Sequence, residues 1–159
     1  MGRVDIDRYR IAPGATVRLA DRPTDDDGGL DEEAAEDATD DNIDRARDLQ
    51  ERLYAEGEQA LLFVLQAMDA GGKDSTTEHV FGPLNPQGVN VASFKSPTDL
   101  ERRHDFLWRV HAQAPPHGLI KVFNRSHYED VLIVKVHEWA SPEIIERRYD
   151  HIRHFEALL

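Results

Sequence analysis

A glycine-rich segment with a lysine carries the residue types that bind phosphate. It reads QAMDAGGKDST over residues 66–76 and directly follows the apolar run LLFVL. Small residues let backbone N–H groups point at a phosphate, a helix N-terminus adds a favourable dipole, and the lysine reaches the outer oxygens. The segment departs from the pattern G-x-x-x-x-G-K-[ST], because Ala67 and Asp74 occupy two of its positions. We predict phosphate or nucleotide binding by the residues Ala70, Gly71, Gly72, Lys73, Asp74, Ser75 and Thr76.

Two carboxylates lie in the same segment, where they would repel a phosphate ligand. Asp69 and Asp74 become compatible with phosphate when a divalent cation lies between the charges. Mg²⁺ usually takes one or two carboxylates together with phosphate oxygens and water, so we expect Mg²⁺ as the cofactor. The alternative is a plain glycine-rich turn whose lysine is solvated.

A second polar cluster, FNRSHYED over residues 123–130, follows a later apolar run. If both runs are parallel strands, Asn124 and Arg125 face the same crevice as the glycine-rich loop. Arg125 can fork onto phosphate oxygens, and Glu129 can hold a metal, a water or a hydroxyl group. Lys95, at the predicted end of another strand, is a further phosphate candidate. A strand-terminal turn with a surface ion pair is the alternative for the cluster.

The elements that must position these side chains alternate along the chain. Apolar runs predict strands at 60–65, 89–94 and 119–123, while 131–136 fits either a strand or a buried helix segment. Helices are predicted at 73–81, at 99–112 after a Thr98–Glu101 capping box, and from Ser141–Pro142 to the chain end. Strands separated by helices predict an α/β fold, a three-layer α/β/α domain with a mainly parallel sheet.

The first 57 residues have a different composition from the rest. An irregular arm over 1–20 precedes residues 21–41, whose composition is typical of disorder or of a loosely held surface segment, with Ala34 and Ala35 permitting some helix near its end. The net charge of residues 21–44 is −11 out of −12 for the whole chain. An amphipathic helix over 43–54 then ends at Gly57. We therefore divide the chain into an arm, acidic segment and helix at 1–57 and a phosphate-binding core at 58–159. Because the core is nearly neutral, the acidic total does not exclude a polyanionic ligand.

Composition excludes several other kinds of protein. The 159 residues include no cysteine, which rules out a disulfide framework and thiolate chemistry. No apolar run approaches the roughly 20 residues of a membrane helix, and residues 1–5 do not begin a signal peptide. We expect a cytoplasmic protein that binds neither membranes nor nucleic acid.

The two clusters together resemble the polyphosphate kinase 2 family. The resemblance is carried by LLFVLQAMDAGGKDSTTEHVFGPLNPQGVNVASFKSPT, HDFLWRVHAQAPPHG and FNRSHYEDVLIVKVH, and it extends upstream to YRIAPG and LQERLYAEGEQALL. It implies a P-loop kinase-like fold, here truncated because the family's C-terminal lid is absent. It also implies transfer of phosphoryl groups between inorganic polyphosphate and nucleotides with Mg²⁺, and assembly into a homo-oligomer.

The resemblance assigns roles to individual residues. Asp69 would hold the metal, Lys73 the phosphates and Arg125 the polyphosphate or nucleotide phosphates, and Lys95 lies in a matching SFKSP motif. Asn124 together with Glu129 resembles the subgroup that phosphorylates both AMP and ADP, so adenine nucleotides are the expected acceptors. We predict the catalytic set Asp69, Lys73, Arg125 and Glu129.

Two other functions remain open from the sequence. One is a catalytically inactive module that keeps phosphate binding or oligomerisation, because these 159 residues lack the lid. The other is a P-loop kinase that uses a nucleoside triphosphate rather than polyphosphate as the phosphoryl donor.

Overall fold

The computed structural model of the protein describes residues 4–159. Residues 1–3 lie outside the described residues. The beginning of the predicted arm and part of the segment considered for a signal peptide fall there. The chain divides into two compact units, Met1–Arg45 and Ala46–Leu159. The predicted functional boundary at residue 57 stays a prediction.

Three strands and five α-helices form the regular structure of the described residues, together with short 3₁₀ and π turns. The elements are α1 (Glu32–Glu56), β1 (Leu61–Leu65), α2 (Lys73–Thr76), β2 (Val89–Ser93), α3 (Trp108–His111), β3 (Ile120–Asn124), α4 (Glu129–Val136) and α5 (Pro142–Leu158). A π-helical turn, Thr77–Phe81, continues α2, so the helix predicted over 73–81 is confirmed in extent. Residues 131–136 belong to a helix and not to a strand.

The sheet is parallel, with β3 in the centre and the order β1-β3-β2. Residues of β3 alternate between two core clusters: Phe123 packs with residues of α4 and α5, whereas Ile120 and Val122 pack with Phe81 and with partly buried residues of α1. The alternation follows from the two-residue period of a strand. Helices therefore cover both faces of the sheet, and the predicted three-layer α/β fold is confirmed.

The prediction of one continuous helix over residues 99–112 is wrong. A 3₁₀ turn over Glu101–Arg103 ends at an extended residue, His104, and a separate helical turn begins at Trp108. The Asp105 carboxylate accepts a hydrogen bond from the backbone N–H of Leu107 at 3.0 Å, which offers the chain an alternative to helix. The capping box itself is present, because Thr98 and Glu101 exchange side-chain to backbone hydrogen bonds. Those bonds lower the pKa of Glu101 below its usual value.

The second half of residues 21–41 is helical, which extends beyond the short stretch of helix that Ala34 and Ala35 permitted and contradicts disorder there. α1 begins at Glu32, eleven residues before the predicted helix. The Asp31 carboxylate caps it by accepting from the N–H of Ala34 at 2.8 Å, and Glu32 and Glu33 face the positive end of the helix dipole. The acidic residues thus favour a helix start at Glu32, a local electrostatic effect that adds to the helix permitted by Ala34 and Ala35.

A buried glutamine joins α1 to the loop before β2. Gln50 is 3% exposed, its Nε2 donates to the carbonyl of Asn85 at 2.7 Å, and its Oε1 accepts from the N–H of Asn85 at 2.9 Å. One side chain therefore satisfies two backbone groups of the loop, which fixes the entry into the second strand.

Candidate phosphate-binding site

The carboxyl ends of the three strands lie side by side at one edge of the sheet. The register aligns Leu65, Asn124 and Ser93, the last residues of β1, β3 and β2. The glycine-rich loop leaves from β1 and the second polar cluster from β3, so the two predicted clusters share this edge. Ligands of open α/β sheets bind in this position.

The loop between β1 and α2 is a tight turn that depends on small residues. Ala70 and Gly72 have positive φ angles of 62° and 80°, and Gly72 precedes the first residue of α2. A Cβ on Gly71 would lie 2.9 Å from the Cβ of Ala67. Small side chains are therefore needed at 67 and 71, while the positive φ at Ala70 is a strained position for a residue with a Cβ.

Lys73 is buried and lies next to an exposed carboxylate. Its side chain is 6% exposed and its Nζ is 3.8 Å from Oδ1 of Asp69, whose side chain is 87% exposed. The expectation of a solvated lysine, which belonged to the alternative of a plain turn, is therefore wrong. The Asp69 carboxylate is thus the charged group that the structure places beside this buried ammonium group.

Arg125 reaches across from the second cluster to the same carboxylate. Its Nη2 donates to Oδ1 of Asp69 at 2.6 Å. The backbone N–H of Arg125 donates to the carbonyl of Leu65 at 3.1 Å, and its φ of 64° turns the chain away from the strand. Asp69 thus contacts two cations, Lys73 at the start of α2 and Arg125 in the turn after β3, and the geometry brings together three of the four predicted catalytic residues.

The amide of Asn124 joins the end of β3 to the first turn of α2. Its Nδ2 donates to Oδ1 of Asp74 at 2.6 Å. An aspartate at 124 would replace this hydrogen bond by a pair of like charges, so the amide lets an acidic residue occupy the first turn of α2.

Glu129, the fourth predicted catalytic residue, is held by a glutamine that the sequence analysis missed. Nε2 of Gln66 donates to Oε1 of Glu129 at 2.7 Å, and Oε1 of Gln66 accepts from the hydroxyl of Ser126 at 3.0 Å. Ser126 is fully buried and also accepts from the N–H of Tyr128. The signal that could have identified Gln66 is its position as the first residue after β1, at the carboxyl edge of the sheet.

The remaining candidates lie around this centre with different surroundings. Ser75 and Thr76 are exposed on the first turn of α2, where the N–H of Thr76 donates to the carbonyl of Gly72 at 2.8 Å. Lys95 lies two residues beyond β2, with an exposed side chain and a backbone carbonyl that accepts from Nη1 of Arg109 at 2.7 Å.

A buried histidine lies directly behind Arg125 and Ser126. His127 is fully buried, and its Nε2 is 3.2 Å from Oε1 of Glu156, which also accepts from the Tyr128 hydroxyl at 2.8 Å. Burial lowers the pKa of His127 below its usual value, despite the nearby carboxylate. Burial and the bond to Glu156 raise the pKa of Tyr128 to about 12. Both rings are therefore neutral near pH 7 and act as packing around the Arg125 turn.

A parallel sheet with a Gly-Gly-Lys turn between its first strand and the following helix defines a P-loop kinase-like protein. The sequence profile of the family described as Polyphosphate kinase 2 (PPK2) matches residues 29–159. The chain belongs to the polyphosphate kinase 2 family.

Named relatives agree with this assignment. The chain is 47% identical over 154 residues to the AMP/ADP-polyphosphate phosphotransferase of Meiothermus ruber, covering 96% of this chain and 58% of that protein. It is 42% identical over 145 residues to the ADP-polyphosphate phosphotransferase of Rhodopseudomonas palustris, covering 91% of this chain and 49% of the relative. The crystal structure of polyphosphate kinase 2 from Arthrobacter aurescens TC1 superposes with a TM-score of 0.85 at 41% identity, over 98% of this chain and 56% of that one. The chain thus spans about half the length of the relatives that it matches.

Proposed function

We propose that this chain carries the phosphate-binding site of a polyphosphate:nucleotide phosphotransferase that converts AMP to ADP and ADP to ATP with Mg²⁺. The observation that carries the proposal is the meeting of Lys73 and Arg125 at one carboxylate, Asp69. Two cations, one of them buried, form a site for a ligand with several adjacent negative charges. Polyphosphate and nucleotide phosphates are such ligands.

The reaction needs no side-chain nucleophile. An oxygen of the acceptor nucleotide's terminal phosphate attacks the terminal phosphorus of polyphosphate, and the P–O bond to the next phosphate breaks, leaving a chain shorter by one phosphate. Charge accumulates on the transferred phosphoryl oxygens, so catalysis consists of positioning and charge neutralisation. In this proposal Lys73 and Arg125 hold the phosphate oxygens, and Glu129, oriented by Gln66, holds a water or a ribose hydroxyl.

The residues present fit a divalent cation that is completed by the substrate. Within residues 4–159 no three histidine or acidic side chains are grouped so that they could hold a metal by themselves. Mg²⁺ commonly takes only one or two carboxylates and fills its other positions with phosphate oxygens and water. Asp69, exposed beside the buried Lys73, is the residue that would hold it. When bound, Mg²⁺ would neutralise phosphate charge.

The proposed acceptor range rests on two residues and on the names of relatives. Asn124 and Glu129 are the pair that resembles the AMP- and ADP-phosphorylating subgroup. The Meiothermus ruber relative is named for both AMP and ADP, and the Rhodopseudomonas palustris relative for ADP. We therefore expect both acceptors to be used.

Partners and location stay predictions. None of the helices in residues 4–159 combines the length and the apolar character needed to cross a membrane. Assembly into a homo-oligomer, a cytoplasmic location and the absence of nucleic-acid binding are expectations carried over from the sequence.

A luciferase assay tests the proposal with ADP as acceptor, polyphosphate as donor and Mg²⁺, with polyphosphate binding measured in parallel by calorimetry. The wild-type chain should bind polyphosphate and form ATP, and Lys73→Ala should lose both. Arg153→Ala is the matched control, because it removes a cation from an exposed ion pair on α5.

Each alternative gives a different result in the same assay. Polyphosphate binding without ATP formation favours the inactive binding module. Activity with a nucleoside triphosphate as donor, and none with polyphosphate, identifies an ordinary P-loop kinase. Turnover that Lys73→Ala leaves unchanged contradicts the proposed site.

A further inference from the structure

Arg109 is a buried cation outside the glycine-rich loop. It lies on α3 and is 8% exposed. Its guanidinium makes three contacts: Nη1 with the Lys95 carbonyl at 2.7 Å, Nη2 with Oδ2 of Asp130 at 3.2 Å, and the Phe94 ring, whose centroid is 5.5 Å away. These contacts join the loop after β2 to the first turn of α4.

A buried ion pair of this kind is weak evidence for a role in stability. The cost of removing two charges from water offsets much of their attraction. Well-packed apolar residues in their place often give the folded state equal stability. The pair is desolvated here, since burial raises the pKa of Asp130 even though Arg109 acts against that shift. What apolar residues could not reproduce is the directional bond from Arg109 to a backbone carbonyl.

The bond from Arg109 and the packing of Phe94 together hold the backbone at Lys95. The preceding side chain, Phe94, is 7% exposed and packs edge-on against Phe123 in the core, with ring centroids 4.8 Å apart. Phe94 holds the chain in the core, and the carbonyl of Lys95 accepts a hydrogen bond from Arg109. The side chain of Lys95, in contrast, is exposed. That side chain leaves from the same sheet edge as Arg125, because Ser93 and Asn124 are aligned.

The ion pair between Arg109 and Asp130 connects α3 to the second cluster. Asp130 directly follows Glu129, and its backbone carbonyl accepts from Nη1 of Arg148 at 2.5 Å. Arg109 therefore sets the separation between the Lys95 turn and the start of α4, which follows the Arg125 turn.

We propose that Arg109 is a positioning residue that holds Lys95 in register with Arg125, so that one polyphosphate chain contacts both cations. This inference rests on the proposed function, because it takes polyphosphate as the ligand. Arg109 does not touch the ligand and acts through the carbonyl of Lys95. A short ligand at the glycine-rich loop does not depend on Lys95, whereas a longer chain does.

The test separates positioning from folding with a paired substitution. Arg109→Met alone removes the ion-pair partner of the part-buried Asp130 carboxylate, which should lower the urea midpoint. Arg109→Met combined with Asp130→Leu removes both charges and should restore it. Arg109→Lys is a second route, because lysine keeps the charge but lacks the planar fork that reaches two acceptors.

Calorimetry then compares tripolyphosphate with long-chain polyphosphate. The paired variant and Arg109→Lys should bind tripolyphosphate like the wild type and long-chain polyphosphate about tenfold more weakly. Lys95→Ala should show the same selective loss, and adding it to the paired variant should cause little further loss.

Three outcomes overturn the inference. Long-chain polyphosphate could bind the paired variant and Arg109→Lys at wild-type strength, or Lys95→Ala could leave that binding unchanged. Equal losses for both ligands would indicate a general structural effect. Failure of the proposed function is distinct from these, because it shows in the wild-type chain, which would then form no ATP from polyphosphate or bind neither ligand.

Discussion

Replacing Arg125 by glutamine should change the affinities for Mg²⁺ and for polyphosphate in opposite directions. In the free protein, the guanidinium occupies the Asp69 carboxylate at 2.6 Å. That carboxylate is the group proposed to hold Mg²⁺, and the guanidinium is proposed to hold phosphate. Each of the two groups must therefore exchange its internal partner for a ligand.

The magnitudes follow from exposure. The side chains of Arg125 and Asp69 are 42% and 87% exposed, so their pair is worth about 0.2–1 kcal/mol. Freeing Asp69 should tighten Mg²⁺ binding to the free chain by at most about fivefold. A hydrogen bond from a charged donor to phosphate contributes about 1.5–3 kcal/mol, so polyphosphate should bind roughly 10- to 100-fold more weakly.

Calorimetric titration of Arg125→Gln with MgCl₂ and, separately, with polyphosphate measures both affinities. Arg153→Gln is the control, because it breaks an exposed arginine–aspartate pair on α5 and should change neither. Parallel weakening of both ligands would refute the reasoning, since Arg125 would then support the site as a whole. Unchanged polyphosphate affinity would refute the assignment of Arg125 as a phosphate ligand.

Three further predictions concern packing and pH. Gln50→Leu should lower the free energy of unfolding by about 2–4 kcal/mol, because two backbone groups of Asn85 lose their partner; urea unfolding measures this, and a loss under about 0.5 kcal/mol would contradict it. Gly71→Ala should weaken tripolyphosphate binding roughly tenfold, because its Cβ would lie 2.9 Å from the Cβ of Ala67 and 3.0 Å from the backbone carbonyl oxygen of Met68; adding Ala67→Gly removes the first contact and should restore part of the binding, and wild-type affinity in Gly71→Ala would contradict the prediction. Because burial lowers the folded-state pKa of His127, its stabilising contribution is complete above the unfolded value near pH 6.5 and is lost as the pH falls below it. The urea midpoint should thus drop between pH 7.5 and 5.5, and less so in His127→Phe; equal drops would contradict the assignment.

Strands, helices and caps that depend on residues close together in the sequence were predicted correctly in most cases. The apolar run of β1, the Thr98–Glu101 capping box and the helix after Ser141–Pro142 each depend on neighbours in the chain, and each is present. The meeting of Arg125 with the loop also followed, since parallel strands bring their carboxyl ends to one edge.

Features that depend on partners distant in the sequence escaped prediction. The Gln66–Glu129 bond spans 63 positions and the Arg109–Asp130 pair spans 21, so neither has a local pattern. Arg109 was assigned to a continuous helix that the structure breaks at His104. The buried environment of Arg109 exists only after the sheet and helices have packed, and the exposed Gln66–Glu129 bond forms only when the parallel strands bring their ends together.

The edge of β1 that faces away from β3 bears on both association and the glycine-rich loop. In the part of the chain that the structure describes, β1 pairs only with β3, and Leu61 and Phe63 are 46% and 40% exposed. An apolar strand with unpaired backbone groups is a template for another strand. The same strand carries the glycine-rich loop, so any strand that paired there and favoured the ligand-binding loop conformation would raise phosphate affinity. By thermodynamic reciprocity, phosphate would then strengthen the pairing by the same factor.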